Sequence, residues 1–322
     1  MKNISPKCAS TKILADIHVW IPADFNDFLV ELDHIISSCF GDNPYPLFRG
    51  HSDSTWILDS TFARTCKNIL FDTLAYEIPN EIKYSLEFNN HIQILHLLKY
   101  GVFCPSTSEL ENVAIKLSPY LKDVICRPHE GLEKVANAHD VDPWFELMKR
   151  IQQFPEEDHP YLKGSFFIDW TQSKDVALYF ANYDNDSERT GDGALFICDK
   201  VITGKTLMRD KNGSTITVSK ILDLMSDKIN KGEPTGCPVI FYPPKQIKYS
   251  REANQQVVYF AQMDLRCSLE EQWKLKEKEI NELIYIKLIL PEGAKNECHN
   301  YLRKLAFECP AWKGGDEKCL LL

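Results

Sequence analysis

The run Ser165-Phe166-Phe167-Ile168 passes through Asp169, Trp170 and Thr171 directly into a helix start. Its compact apolar stretch reads as a buried strand. Ser173 stands in a capping position, and Val176, Ala177, Phe180 and Ala181 follow at helical spacing. A strand that runs straight into a helix requires a fold built from both. The rest of the chain repeats the demand. Asp24 can cap a helix carrying Phe25, Phe28, Leu29, Leu32, Ile35 and Ile36. After the turn-forming Gly41 to Pro46, Leu47 to Gly50 reads as a short strand and Trp56 to Leu58 as a second extended piece. Further strands are expected at Ala194 to Cys198, Pro238 to Tyr242 and Gln256 to Ala261. Ser268 and Glu271 have capping-box spacing for a charged helix through about Ile280. A strand at Leu283 to Leu290 and a helix from about Ala294 to Phe307 complete an α+β pattern.

From Ala75 to Met148 the pattern is mainly helical, broken at Pro79, Pro105, Pro119 and Pro128, and reads as a helical insertion over about residues 75–160. With 322 residues, the chain is long enough for two domains or for one domain carrying such an insertion. Apolar residues make up 44% and charged ones 26%, the balance of a packed globular protein. The formal charge of −9 argues against a generic nucleic-acid coat, though a small basic cleft is compatible with it. The best membrane-spanning candidate, Leu283 to Leu290, is far short of the ~18 residues needed and contains Lys287. Asp16 and His18 interrupt the only apolar stretch near the N-terminus, so a signal-peptide core is lacking and a cytoplasmic location is expected. Eleven cysteines without a C-x-x-C pair read as buried reduced thiols, with a zinc site of scattered Cys and His as the alternative.

Several chemical motifs fail on inspection. Gly204-Lys205-Thr206 imitates a phosphate loop, but the position five residues earlier is Asp199 where the loop needs glycine. Asp184, Asp186 and Glu188 imitate a calcium loop that has Arg189 in place of its turn glycine. The nine histidines form no H-x-x-x-H pair, and no resident metal is expected.

What survives is Phe48-Arg49-Gly50-His51-Ser52-Asp53-Ser54-Thr55-Trp56, followed by Leu58 and Arg64. An arginine in an apolar strand is costly to bury unless an anion or a carboxylate answers it. Two readings are open: an internal Arg–Asp pair that ties the strand to the fold, or a site for a phosphate or carboxylate ligand. Asn254-Gln255-Gln256 likewise reads as a polar turn ahead of a strand or as part of a site. Thr171 and Ser173 can cap a helix in either case, and Asp169 and Trp170 can serve a turn and a core.

These residues resemble FRG domains, a family named for the tripeptide Phe-Arg-Gly. The resemblance rests on Phe48-Arg49-Gly50 with Trp56, Leu58 and Arg64, on Ile168-Asp169-Trp170-Thr171 with Ser173 and Ala177 to Ala181, and on Asn254-Gln255-Gln256 leading to Tyr259 and Phe260. Ahead of Asp169 the family typically carries Gln-His-x-Gly-x-Pro-Thr-Arg, where this chain has His159 to Phe166 (HPYLKGSF). The resemblance implies an N-terminal tail over 1–16, a domain over 17–308 and a C-terminal tail over 309–322.

The same order of motifs is similar to that of ADP-ribosyltransferases, which place an Arg on a first strand, a Ser/Thr strand feeding a helix, and a Glu on a later strand. It implies a mixed β core that binds NAD as co-substrate. Arg49, Thr171, Glu252, Gln255 and Gln256 would be the catalytic set, and Phe48, Arg49, Gly50, His51, Asp169, Trp170, Thr171 and Ser173 would bind the dinucleotide. With glutamine in the third motif, Glu252 or Asp169 would supply a base, or the acceptor needs little deprotonation, as an exocyclic nucleobase amine does. The implied role is a toxin or anti-phage effector that modifies RNA or another macromolecule, with an antitoxin protein as partner. An NAD glycohydrolase and a binding module without turnover are the alternatives.

Overall fold

A computed structural model describes residues 4–14, 16–40, 44–67, 164–182, 191–206, 231, 239–241, 256–262 and 267–308. The expected insertion over 75–160, the loop over 183–190 and the tail over 309–322 lie outside the described residues. The elements in chain order are β1 (Lys12–Ile13), β2 (Val19–Ile21), α1 (Phe25–His34), β3 (Pro46–His51), α2 (Thr61–Lys67), β4 (Phe167–Thr171), α3 (Lys174–Asn182), β5 (Gly193–Asp199), α4 (Lys200–Thr206), β6 (Val239–Phe241), β7 (Val257–Ala261), α5 (Leu269–Ile280), β8 (Tyr285–Leu290) and α6 (Lys295–Glu308).

The local signals that start the helices do so for the expected reasons. Asp24 accepts a hydrogen bond from the Asp27 amide (2.9 Å) and caps α1. Ser268 and Glu271 satisfy each other's backbone N–H groups in a complete capping box at the start of α5. Some expectations need correction. α1 ends at His34 and widens into a π-helical turn over Ile35–Cys39 that still buries Ile35. Trp56 to Leu58 is no strand: it belongs to the loop after β3, where Leu58 is buried and Trp56 and Ile57 are exposed. β4 starts later than Ser165 and carries the Asp169-Trp170-Thr171 segment inside it. Lys12–Ile13, within the segment expected as a tail, pairs with β2. Gly204 to Thr206 closes α4, whose start is capped by the Asp199 carboxylate through the Val201 and Ile202 amides.

Eight strands form one sheet in the order β1-β2-β8-β5-β3-β4-β7-β6, with β2 and β8 parallel and every other neighbour antiparallel. Mixed strands and helices around this sheet make the fold α+β. β3 pairs with β5 along its whole length, from Pro46↔Asp199 to His51↔Ala194, and β4 pairs with β7 along its own. Between β3 and β4 the register holds at one position, Phe48↔Thr171. The sheet is therefore two ladders joined at a single point, and it forks there.

Alternation assigns the faces. One face carries Phe48, Gly50 and Thr171 and packs under α3; α6 lies against α3, and α1 against β8. The other carries Trp170, Phe260 and Tyr285, whose rings lie 5.3–5.6 Å from that of Trp273 on α5. Gly50 is required by the first packing: a Cβ there would sit 1.9 Å from the Ala177 carbonyl oxygen and 2.5 Å from the Ala181 nitrogen. Among the described residues no helix is long and apolar enough to cross a membrane, and no cluster could hold a metal ion. Among the described cysteines, Cys39, Cys198 and Cys298 are buried.

Candidate functional site

The fork between β3 and β4 opens a cavity of about 210 Å³. Phe48, Arg49 and Gly50 line it from β3, Asp169, Trp170 and Thr171 from β4, Val176, Ala177 and Phe180 from α3, and Val257 from β7. Two of the three motifs thus meet at one place, with a residue flanking the third. The join is made by register: Phe48 opposite Thr171, and Thr171 opposite Val257.

Arg49 reaches across the fork. Where the β3–β4 ladder stops, its Nη1 donates to the carbonyl of Asp169, and its Nε donates to His51 Nε2 (2.9 Å). Two of the five guanidinium N–H donors are used in this way, and the other three have no partner among the described residues. No described carboxylate forms an ion pair with Arg49. Burial lowers its pKa to about 10, the Asp169 charge opposes that shift, and Arg64 adds to it. The group remains a cation, held in place by a histidine and a carbonyl.

Thr171 is buried and its Oγ1 accepts from the Ser173 amide (3.0 Å), while Ser173 Oγ accepts from the Val176 amide (3.4 Å). Both hydroxyls serve the start of α3, and Thr171 does so from the cavity wall. Asp169 is exposed at the cavity. The Trp170 indole packs in the core against Phe260 (5.3 Å) and Trp273 (5.6 Å). His51 lies outside the cavity lining; it is 3% exposed, edge-on to Phe196 (5.0 Å) and Trp56 (5.9 Å). Burial, reinforced by the Arg49 and Lys287 charges, drives its pKa well below the usual histidine value.

Glu252 and Gln255 lie outside the described residues. Gln256 is exposed at the head of β7 with φ +48°, and its carbonyl accepts from the Gln172 amide (3.1 Å). A left-handed residue in a turn does not follow strand alternation, so Gln256, expected as the first residue of the strand, stands just ahead of it. Its backbone hydrogen bond ties the third motif to the end of the second. Sequence reasoning gave Phe180 to the apolar face of its helix. In the structure Val176 and Ala177, both buried, and the half-buried Phe180 line the cavity, and Ala181 is buried outside its lining. Helical spacing groups all four on one side and carries no signal for which of them meets a cavity.

No family model, curated protein or solved structure matches the chain.

Proposed function

We propose that this chain is an NAD-dependent ADP-ribosyltransferase whose dinucleotide site is the fork between β3 and β4. One observation carries the reading: Arg49 is a half-buried cation without a carboxylate partner among the described residues, and it lines a cavity together with Thr171. Its unused donors suit a diphosphate, because a guanidinium grips phosphate oxygens through paired N–H groups. At about 210 Å³ the cavity is smaller than the ~300–1,000 Å³ usual for drug-sized ligands, which suits one half of a dinucleotide. Phe180, Val176 and Val257 give that half an apolar wall.

Breaking the nicotinamide–ribose bond develops oxocarbenium character, and groups that hydrogen-bond the ribose stabilise it. Thr171 is the hydroxyl at the wall for that task. Gln256, with Gln255 before it, would orient the ribose from the head of β7, and Asp169 or Glu252 would take a proton where the acceptor requires it. An exocyclic amine of RNA requires little, so a nucleic-acid acceptor fits a motif built on glutamine. A cytoplasmic toxin or anti-phage effector held in check by an antitoxin protein is the role that goes with such chemistry.

The test is incubation of the protein with NAD labelled in the adenylate half and a cell lysate, followed by nuclease or protease treatment. Label in a nuclease-sensitive macromolecule is the expected result. Label in protein would change the acceptor, free ADP-ribose alone would make the chain a glycohydrolase, and NAD binding without turnover would make it a binding module.

A further inference from the structure

The sheet face opposite α3 carries a second set of groups behind the cavity. Arg49 and His51 share that face of β3, Phe196 stands opposite Arg49 on β5, and Lys287 stands opposite Phe196 on β8. Lys287 Nζ lies 4.8 Å from the Phe196 ring centroid, and the His51 ring lies 5.0 Å from the same ring. His51 is thus enclosed by two aromatic rings, with Arg49 in contact and Lys287 and Arg64 near enough to act on it electrostatically.

We propose that His51 is a positioning residue, a neutral hydrogen-bond acceptor that aims the Arg49 guanidinium into the fork. This rests on the reading of Arg49 as the group that meets the dinucleotide phosphate. The 2.9 Å bond from Arg49 Nε fixes the tautomer, because Nε2 must be bare to accept it and the ring proton then sits on Nδ1. Beyond Arg49, the hydrogen-bonding influence on this ring comes from the Trp56 backbone. A phenylalanine would fill the same aromatic niche but could not accept from Arg49 Nε, so packing alone does not account for histidine here. Its use is the acceptor. Burial, reinforced by the surrounding positive charge, keeps the ring neutral, so His51 neither transfers a proton near pH 7 nor binds phosphate as a cation. Arg49 is clamped at two points, by His51 and by the Asp169 carbonyl, and a guanidinium held before binding loses less freedom when the anion arrives.

The experiment uses the full chain labelled with ¹⁵N in arginine and histidine. In the wild type, the His51 ring should show a bare Nε2 and a protonated Nδ1, and one Arg Nε–H, absent in Arg49→Lys, should exchange slowly with water. His51→Phe should lose the slow exchange and weaken NAD binding about tenfold or more, and His51→Gln, which restores an acceptor, should recover much of both. A protonated Nε2 in the wild type overturns the proposal even if His51→Phe does not fold. Slow exchange and unchanged affinity in a folded His51→Phe overturn it as well. If wild-type protein shows the ring tautomer and the protected Nε–H but binds no NAD, the clamp stands and the dinucleotide reading fails.

Discussion

His18 and His51 are both almost fully buried, at 6% and 3% exposure, and both sit at strand ends, yet the fold shifts their pKa values in opposite directions. His18 lies between two carboxylates: Asp16 at Nδ1 and Glu277 at Nε2 (2.6 Å), with Lys274 on the far side of Asp16. Burial pulls its pKa down, but the hydrogen bonds to Glu277 and Asp16 outweigh burial and the net shift is upward. His51 faces cations instead, and every influence but one drives its pKa downward. Burial therefore sets the stakes and the neighbours decide the charge state. At His18 each charge has an answering partner, so the cluster closes on itself and ties the N-terminal strands to α5. At the fork, Arg49 has a histidine and a carbonyl but no answering charge in contact among the described residues, and the proposed ligand site rests on this imbalance.

The largest expected effect is at the closed cluster. Glu277 also accepts from the Ile284 amide (2.7 Å), so Glu277→Gln removes a charge from a buried network and should cost about 3–5 kcal/mol of stability. NAD affinity measured on the folded fraction should be unchanged. A comparable loss of binding would mean that the two regions are coupled. Arg49→Ala should do the reverse: weaken NAD binding about 10²-fold while shifting the melting temperature little, because the lost term is anion recognition. A large fall in melting temperature with unchanged NAD affinity would return Arg49 to a structural role.

Gly50→Ala should blur the contrast, since its Cβ collides with the α3 backbone that roofs the cavity. About 1–3 kcal/mol of stability and most NAD binding should be lost together. The smallest effect is the most diagnostic. Relative to an unfolded pKa of 6.5, His18 is raised, so its contribution is complete below about pH 6.5 and is lost as pH rises through the folded value. His51 is depressed, so stability is lost as pH falls below about 6.5, where the unfolded chain takes up the proton first. Together the two histidines place a stability maximum near pH 6.5, which melting curves across pH 5 to 8 would trace. His18→Gln should flatten the alkaline limb and His51→Phe the acid limb. If both limbs survive both substitutions, other groups control the pH dependence.

Most elements were legible because their signals act within a few residues. The Asp24 cap, the Ser268–Glu271 box, the apolar run of β8 and the Ser173 helix start are local chemistry that tertiary contacts had no reason to override. β1 and β2 were missed because two- and three-residue strands carry no periodicity, and they exist only through pairing with each other and with β8. Trp56 to Leu58 reads as extended from its side chains, but it lies in the loop after β3, where Leu58 donates its amide to Glu270 (2.9 Å) and accepts from that of Leu269 (3.0 Å).

The sequence by itself determined which residues were available for a site: an arginine in an apolar strand, the glycine beside it, a threonine feeding a helix. Only the tertiary structure decided that Arg49 and Asp169, 120 residues apart along the chain, would share a hydrogen bond at the point where two ladders part. It also decided that Gly50 is needed for the close passage of α3, that Phe180 lines the cavity wall, and that His51 stands behind Arg49 and off the cavity lining. Short-range patterns specify local conformation, because caps and periodicity are satisfied within one element. Which unsatisfied donors converge, and which charges go unanswered, is set by strand register and helix packing between segments that are remote in sequence.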